Sequence, residues 1–128
     1  MKKVDAKELL KAAADAAKNA YAPYSNQPKG AALLCSDGTV YACCNVEFAT
    51  FGGSVCAELG ALVQAINSGK QSFTALALTP YRFPCGACRQ FFNEFGLQLD
   101  VFTARQDGTI EQKTLSELLP NSFGKSNL

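Results

Sequence analysis

Hydrophobic and polar residues recur with helical spacing in three segments of this chain. The predicted helices run over residues 5–20, 56–68 and 85–95. In the first, leucine and alanine return every three or four positions. In the second, the apolar positions are Leu59, Leu62, Val63 and Ile66. Gly69 and Gly96 follow the second and third segments, where a glycine commonly ends a helix.

Between and after these helices lie short segments of small and apolar residues that are typical of strands. They predict strands at 30–35, 40–44, 73–79, 97–103 and 109–113. Asp37-Gly38 and Asp107-Gly108 mark turns between neighbouring strands. Thr114 and Glu117 have the spacing of a capping box, which predicts a short C-terminal helix. The alternation of strands and helices in the centre indicates an α/β fold, and the length predicts a single domain over 1–128.

The amino-acid composition limits the kinds of molecule that the chain is expected to bind. The chain is 48% hydrophobic and 18% charged, which is ordinary for a globular protein. A net charge of +1 with scattered Lys and Arg argues against a polynucleotide partner, but not against a free nucleoside. No apolar signal core follows Met1-Lys2-Lys3, and no segment is long enough to span a membrane. We therefore expect a cytoplasmic protein without a membrane partner, whose six cysteines are reduced.

The chain contains no histidine, and this removes many catalytic sites from consideration. A Ser-His-Asp triad, a Cys-His pair and an H-E-x-x-H zinc site all require one. Neither of the common glycine-rich phosphate loops appears in the sequence. Three possibilities remain for the function of the chain: metal chemistry, cysteine redox chemistry or no catalytic activity.

Two short motifs supply the ligands of a catalytic zinc site. They are Cys56-Ala57-Glu58 and Pro84-Cys85-Gly86-Ala87-Cys88. Three thiolates leave the fourth tetrahedral position open for water, and Glu58 can move protons. Both motifs fall at predicted helix N-termini, whose N–H groups and partial positive charge offset the excess negative charge of the sulfurs. This pairing is the signature of zinc deaminases that act on nucleobases.

These cysteines have other interpretations. Cys-x-x-Cys alone is also a redox motif or half of a structural zinc site. A structural site needs a fourth ligand, which one of the remaining cysteines could supply: Cys35, Cys43 and Cys44. Otherwise those three cysteines fit as small buried hydrophobic residues in strands. A catalytically silent zinc-binding domain would have no use for Glu58.

Five segments in order resemble the small, homotetrameric cytidine deaminases. They are Ala22-Pro23-Tyr24-Ser25 with Gly30-Ala31-Ala32, Asn45-Val46-Glu47, the two cysteine motifs, and Glu117-Leu118-Leu119-Pro120 with Ser122-Phe123-Gly124. The resemblance implies a three-layer α/β/α sandwich around a mixed five-stranded sheet. It also implies zinc on Cys56, Cys85 and Cys88, with Glu58 as the catalytic proton carrier.

The resemblance further implies a pyrimidine nucleoside substrate and a role in pyrimidine salvage. The reaction would be hydrolytic deamination of cytidine and deoxycytidine to uridine and deoxyuridine, with release of ammonia. Asn45 and Glu47 would bind the ribose, and Ala57 would belong to the substrate site. Phe123 would cover the base in a neighbouring subunit's site, within a homotetramer with shared active sites. The alternatives are a solvated loop for Asn45 and Glu47, and a core anchor for Phe123.

Several residues depart from the family pattern. Phe48 and Phe51 replace an Asn and a Tyr, and Gln27 stands where a Phe is usual. Leu59 replaces the Arg that in most members follows the catalytic Glu and offsets the thiolate charge. Leu59 and the Gly52-Gly53 pair resemble the blasticidin S deaminases. Gln27, Phe48 and Leu59 leave deamination of blasticidin S or of an N4-substituted cytidine as the alternative function.

Because Leu59 carries no charge, we expect another arginine to offset the negative charge of the metal centre. Arg89 is preferred, since it lies one position past Cys88 in the first turn of its helix. Arg82, three positions before Cys85, is the second candidate. The alternative for Arg89 is a surface or intersubunit ion pair.

Overall fold

The computed structural model describes residues 5–128, so the first four residues of the predicted domain, including Met1-Lys2-Lys3, lie outside the described residues. The described chain ends in a short 3-10 helix at Lys125–Asn127. Its other elements are α1 (Ala6–Ala17), β1 (Gly30–Cys35), β2 (Val40–Cys44), α2 (Ala57–Asn67), β3 (Phe73–Thr79), α3 (Gly86–Asn93), β4 (Asp100–Ala104), β5 (Ile110–Thr114) and α4 (Leu115–Leu118).

The five strands form one mixed sheet in the order β2-β1-β3-β4-β5. β3 and β4 run parallel, and every other neighbouring pair is antiparallel. A parallel pair needs a crossover connection, which α3 provides here. The predicted mixed five-stranded sheet is confirmed.

Helices cover both faces of this sheet, which confirms the predicted three-layer sandwich. On one face, Leu9 and Ala13 of α1 pack against small residues of β1 and β3 and against Phe102. On the other face, α2 and α3 contribute the buried Leu62 and Phe92 to the larger core cluster. Alternate residues of the central strands point to opposite faces, so each strand serves both clusters.

The approach of α1 to the sheet depends on Gly30. A Cβ atom at Gly30 would overlap the carbonyl oxygen of Ala13. The first residue of β1 therefore touches the backbone of α1 directly. This close packing holds α1 against β1 with only small side chains between them, since Ala13 and Ala32 are fully buried.

Two element boundaries differ from the sequence prediction by three residues, and several others differ by one or two. β4 begins at Asp100 rather than at residue 97, because Leu97 and Gln98 form a turn. The carbonyls of Leu97 and Leu99 accept hydrogen bonds from Ser116 and Leu115, and Leu99 is buried in the core. The first helix ends at Ala17 rather than at residue 20. Asp5 is its N-cap and accepts a hydrogen bond from the backbone N–H of Glu8.

Over residues 5–128, none of the helices has the length and apolar character needed to cross a membrane. The longest of them, α1, has 12 residues.

Candidate metal centre

Three cysteines from two distant segments meet at one point of the structure. The sulfur atoms of Cys56, Cys85 and Cys88 all lie within 4.8 Å of one another. Sulfurs bound to one tetrahedral zinc at the usual bond length are about 3.8 Å apart, so this group is of the right size to hold the ion. The donor set, three thiols and no oxygen, also suits zinc. The predicted zinc cofactor thus has a matching site.

The group forms where two helices begin. Cys56 is the N-cap of α2 and Cys85 is the N-cap of α3, and neither side chain makes a capping hydrogen bond. Neither sulfur is therefore used to cap its helix, which leaves both for binding a metal ion. Cys88 lies one turn into α3, where it is buried. The prediction that both motifs start helices is confirmed.

The three thiols influence one another strongly. A hydrogen bond with Cys88 lowers the pKa of Cys56 to about 6, and the positive charge of Arg82 acts in the same direction. Burial and the charge of Glu58 oppose this shift. The same hydrogen bond raises the pKa of Cys88. Cys56 is therefore the more acidic thiol of this pair, and a metal ion binds the thiols by displacing their protons.

Glu58 lies in the first turn of α2 and is completely buried. Its two carboxylate oxygens each accept a hydrogen bond of 2.9 Å, Oε2 from Nη1 and Oε1 from Nη2 of Arg82. Its charge is close enough to Cys56 and Cys88 to act on the pKa of both thiols. A buried carboxylate thus lies beside the thiol group and is held by a two-point ion pair.

Arg82 lies on the loop between β3 and α3, and a threonine fixes its backbone. The N–H of Arg82 donates to the hydroxyl of Thr103 at 3.1 Å, and this hydroxyl donates to the carbonyl of Leu78 at 3.0 Å. Thr103 is fully buried in β4. Sequence analysis did not identify Thr103, because a single threonine in an apolar strand gives no distinctive pattern.

Arg89 and Arg82 have different partners. Arg89 donates from Nε to the carbonyl of Pro84 and from Nη1 to the carbonyl of Leu118, both at 2.7 Å. Its guanidinium thus joins the residue before Cys85 to the end of α4. Arg82, the second candidate in the sequence, is the arginine in contact with Glu58 and in electrostatic range of Cys56 and Cys88.

Asn45 and Glu47 bind the loop that follows α1. The Oδ1 atom of buried Asn45 accepts a hydrogen bond from Lys29 N, and its Nδ2 donates to the carbonyl of Gln27. Glu47 accepts from the backbone N–H groups of Tyr24 and Ser25 at 3.1 Å and from the Ser25 hydroxyl at 2.6 Å. The Ser25 hydroxyl is the largest of the contacts that lower the pKa of Glu47.

Ala57 and Phe123 have opposite degrees of exposure. Ala57 is fully buried as the first residue of α2, next to Cys56. The side chain of Phe123 is 59% exposed. Its carbonyl accepts hydrogen bonds of 2.9 Å from Gln90 and Asn93, which fastens the C-terminal segment to α3.

The other cysteines and the departures from the family pattern differ in burial and contacts. All six cysteines are free thiols, and within residues 5–128 the three-thiol group does not include Cys35, Cys43 or Cys44. Cys43 donates to Oε1 of Gln64. Leu59 is half-buried in α2. Exposed positions hold Gln27, Phe48 and Phe51.

Comparison with known families gives a match over most of the chain. Residues 3–104 match the cytidine and deoxycytidylate deaminase zinc-binding region. The match includes both cysteine motifs, and its description agrees with the zinc expected from the thiol geometry.

Curated relatives match over nearly the full length. A cytidine deaminase of Sporosarcina psychrophila is 40% identical, over 98% of this chain and 96% of the relative. One from Mycobacterium tuberculosis is 36% identical, over 100% of this chain and 96% of the relative.

Solved structures have the same fold. The cytidine deaminase of Burkholderia pseudomallei superposes with a TM-score of 0.87 at 39% identity, over 94% of this chain and 100% of the other. That of Mycobacterium tuberculosis superposes with a TM-score of 0.85 at 35% identity, over 95% and 99%. The sheet and the helices that carry the three thiols thus belong to an architecture shared over at least 94% of the chain.

Proposed function

Because the chain belongs to the cytidine and deoxycytidylate deaminase zinc-binding family, we propose that it hydrolyses cytidine and deoxycytidine to uridine and deoxyuridine and releases ammonia. The observation that carries this proposal is the buried Glu58 beside three thiols grouped within 4.8 Å. A structural zinc site requires no buried carboxylate next to it. A hydrolytic site does, because protons must leave the water and reach the substrate.

Cys56, Cys85 and Cys88 hold the zinc in this proposal, and Glu58 carries the protons. Zinc held there would activate a water molecule for attack on the pyrimidine. Glu58 would carry the protons of the hydrolysis from water to N3 and to the departing amine. The complete burial of Glu58 supports this role, because a carboxylate away from bulk water exchanges protons with the substrate rather than with solvent.

Asn45, Glu47, Ala57 and Phe123 form the nucleoside site in this proposal. Asn45 and Glu47 already anchor the segment from Tyr24 to Lys29, so they would present that segment to the ribose and bind its hydroxyls. Ala57 lies next to Cys56 in the sequence, which places its backbone close to the metal site. The exposed ring of Phe123 is available to cover a base, and the tail that carries it is tied to α3.

Arg89 supports the second metal motif in this proposal. Its contact with the carbonyl of Pro84 restrains the backbone next to Cys85, and its contact with Leu118 brings in the C-terminal segment.

The protein works as a homotetramer with shared active sites, in the cytoplasm, in pyrimidine salvage. Three exposed aromatic residues support the assembly, since Phe48, Phe51 and Phe123 would be covered by neighbouring subunits. Six free thiols support a reducing compartment. A net charge of +1 supports a free nucleoside rather than a polynucleotide as substrate.

The test is a spectrophotometric assay of the zinc-loaded protein on cytidine, deoxycytidine and blasticidin S. We expect the cytosine absorbance band to disappear with cytidine and with deoxycytidine. Treatment of the protein with a chelator should abolish this activity, and added zinc should restore it. Turnover of blasticidin S alone would instead support the alternative that Leu59 and Gln27 favour, a modified cytosine nucleoside such as blasticidin S or an N4-substituted cytidine. No turnover of any of the three would contradict the proposal.

A further inference from the structure

The candidate metal centre concentrates negative charge in the interior. Three thiolates around Zn²⁺ leave one negative charge, and the carboxylate of Glu58 adds a second beside it. Glu58 and Cys88 are both buried, so water cannot screen these charges well. A buried cluster of this kind needs a positive partner to be stable.

Arg82 is placed to be that partner. Its side chain is only 19% exposed, and two of its nitrogens bind both oxygens of Glu58. Cys56 and Cys88 also act electrostatically on its guanidinium. Burial opposes the charged form of Arg82, yet its pKa is raised, because the hydrogen bonds and charge of Glu58 and the charges of the two thiols outweigh burial.

The backbone around Arg82 is fixed as firmly as its side chain. The buried hydroxyl of Thr103 accepts a hydrogen bond from the Arg82 N–H and donates to Leu78, so the loop is tied to both β3 and β4. The Nε atom of Arg82 is buried and makes no hydrogen bond among the described residues. One N–H donor thus remains available in a region that also contains two of the thiols.

The neighbouring positions do not offer a comparable charge. Leu59, which follows Glu58 in α2, is apolar. Arg89 uses Nε and Nη1 for the carbonyls of Pro84 and Leu118.

From this geometry, and resting on the proposed function, we propose that Arg82 is a positioning residue with two roles at the metal centre. Its two-point contact orients the carboxylate of Glu58 for proton transfer. Its positive charge lies beside the negatively charged metal centre and so strengthens zinc binding. The loop before α3 thus provides the positive charge that the apolar Leu59 of α2 does not.

The test measures zinc affinity by competition with a chromophoric chelator, together with kcat and KM, for wild type and Arg82→Ala. We expect zinc to bind about 10–100-fold more weakly in the variant, as is typical when a residue behind the ligands is removed. We expect kcat to fall while KM changes much less, because Arg82 contacts Glu58 rather than substrate. The matched control is Arg105→Ala, which removes an arginine paired with Glu111 on the surface and leaves zinc affinity unchanged.

A double variant separates the two roles. Position 59 lies one turn after Cys56 on α2, so Arg82→Ala with Leu59→Arg restores a charge near the thiols but not the contact with Glu58. We expect zinc affinity to recover and kcat to stay low. Recovery of both would disprove the orienting role, and recovery of neither would disprove the charge role.

Zinc affinity within about threefold of wild type in Arg82→Ala would overturn the charge role directly. Because this measurement uses no substrate, it holds even if cytidine is not turned over. Arg82→Gln, which keeps an N–H donor but no charge, replaces Arg82→Ala in the same comparison if the alanine variant does not fold.

Discussion

Glu58 is fully buried, and both of its carboxylate oxygens accept hydrogen bonds from Arg82. We expect Glu58→Gln to lose activity by at least about 10²–10⁴-fold, since an amide cannot accept the proton that the reaction releases. Zinc content stays at one per subunit, because the three thiols remain. Turnover and elemental analysis of the purified variant measure the two quantities.

The matched control for this substitution is Glu8→Gln. Glu8 is an exposed carboxylate on α1, on the other side of the sheet from α2 and α3. Its replacement leaves turnover unchanged. A Glu58→Gln enzyme within tenfold of wild type would show that another group carries the proton.

At the residue scale, the sequence predicted which thiols meet but not how the arginines divide their partners. Cys56, Cys85 and Cys88 stand in motifs whose spacing follows from helix geometry. The contact between Arg82 and Glu58 depends on the path of an irregular loop and on the hydroxyl of Thr103. Neither the path of this loop nor the contact with Thr103 produces a repeating pattern or a fixed spacing that could be recognised in the sequence.

At the element scale, hydrophobic periodicity predicted which segments form helices and strands better than where they end. The apolar residues at 97 and 99 looked like the start of β4, yet they lie in a turn that fills the core. Their carbonyls bind the start of α4 instead of a neighbouring strand. Buried positions are apolar in turns as well as in strands, so the hydrophobic pattern alone cannot distinguish a buried turn from a strand.

The packing of α1 on the sheet gives a prediction at the same scale. We expect Gly30→Ala to lower the free energy of unfolding by about 1–3 kcal/mol, because the new methyl group would force α1 away from β1. Urea unfolding of zinc-saturated protein measures the loss. The control is Gly86→Ala, where a Cβ meets nothing within 4 Å. Equal losses in the two variants would show that the contact with α1 is not the cause.

At the scale of the whole molecule, the proposed shared site can be tested by mixing subunits. Glu58→Gln and Phe123→Ala proteins are each expected to be poorly active alone. If Phe123 completes a neighbour's site, a hybrid contains some sites with both residues intact. Random assembly of equal amounts then restores about a quarter of wild-type activity, because half of the sites have Glu58 and half of those receive an intact Phe123.

Unfolding and refolding the two variants together provides the hybrid, and refolding each alone provides the control. Activity that remains at the average of the separate proteins would mean that Phe123 serves its own subunit. That result would favour its alternative role as an anchor of the C-terminal segment, whose backbone is also held by the bonds from Gln90 and Asn93 to the Phe123 carbonyl.

The three sulfurs belong to the starts of two helices separated along the chain by β3. An ion held by all of them would join residue 56 to residue 85 as a cross-link does, closing a loop that contains α2 and β3. If the loop-closure entropy known for disulfides applies, a closed loop of this length removes about 3–4 kcal/mol of chain entropy from the unfolded state. The catalytic metal would thus also act as a staple, formed without oxidising any of the six thiols.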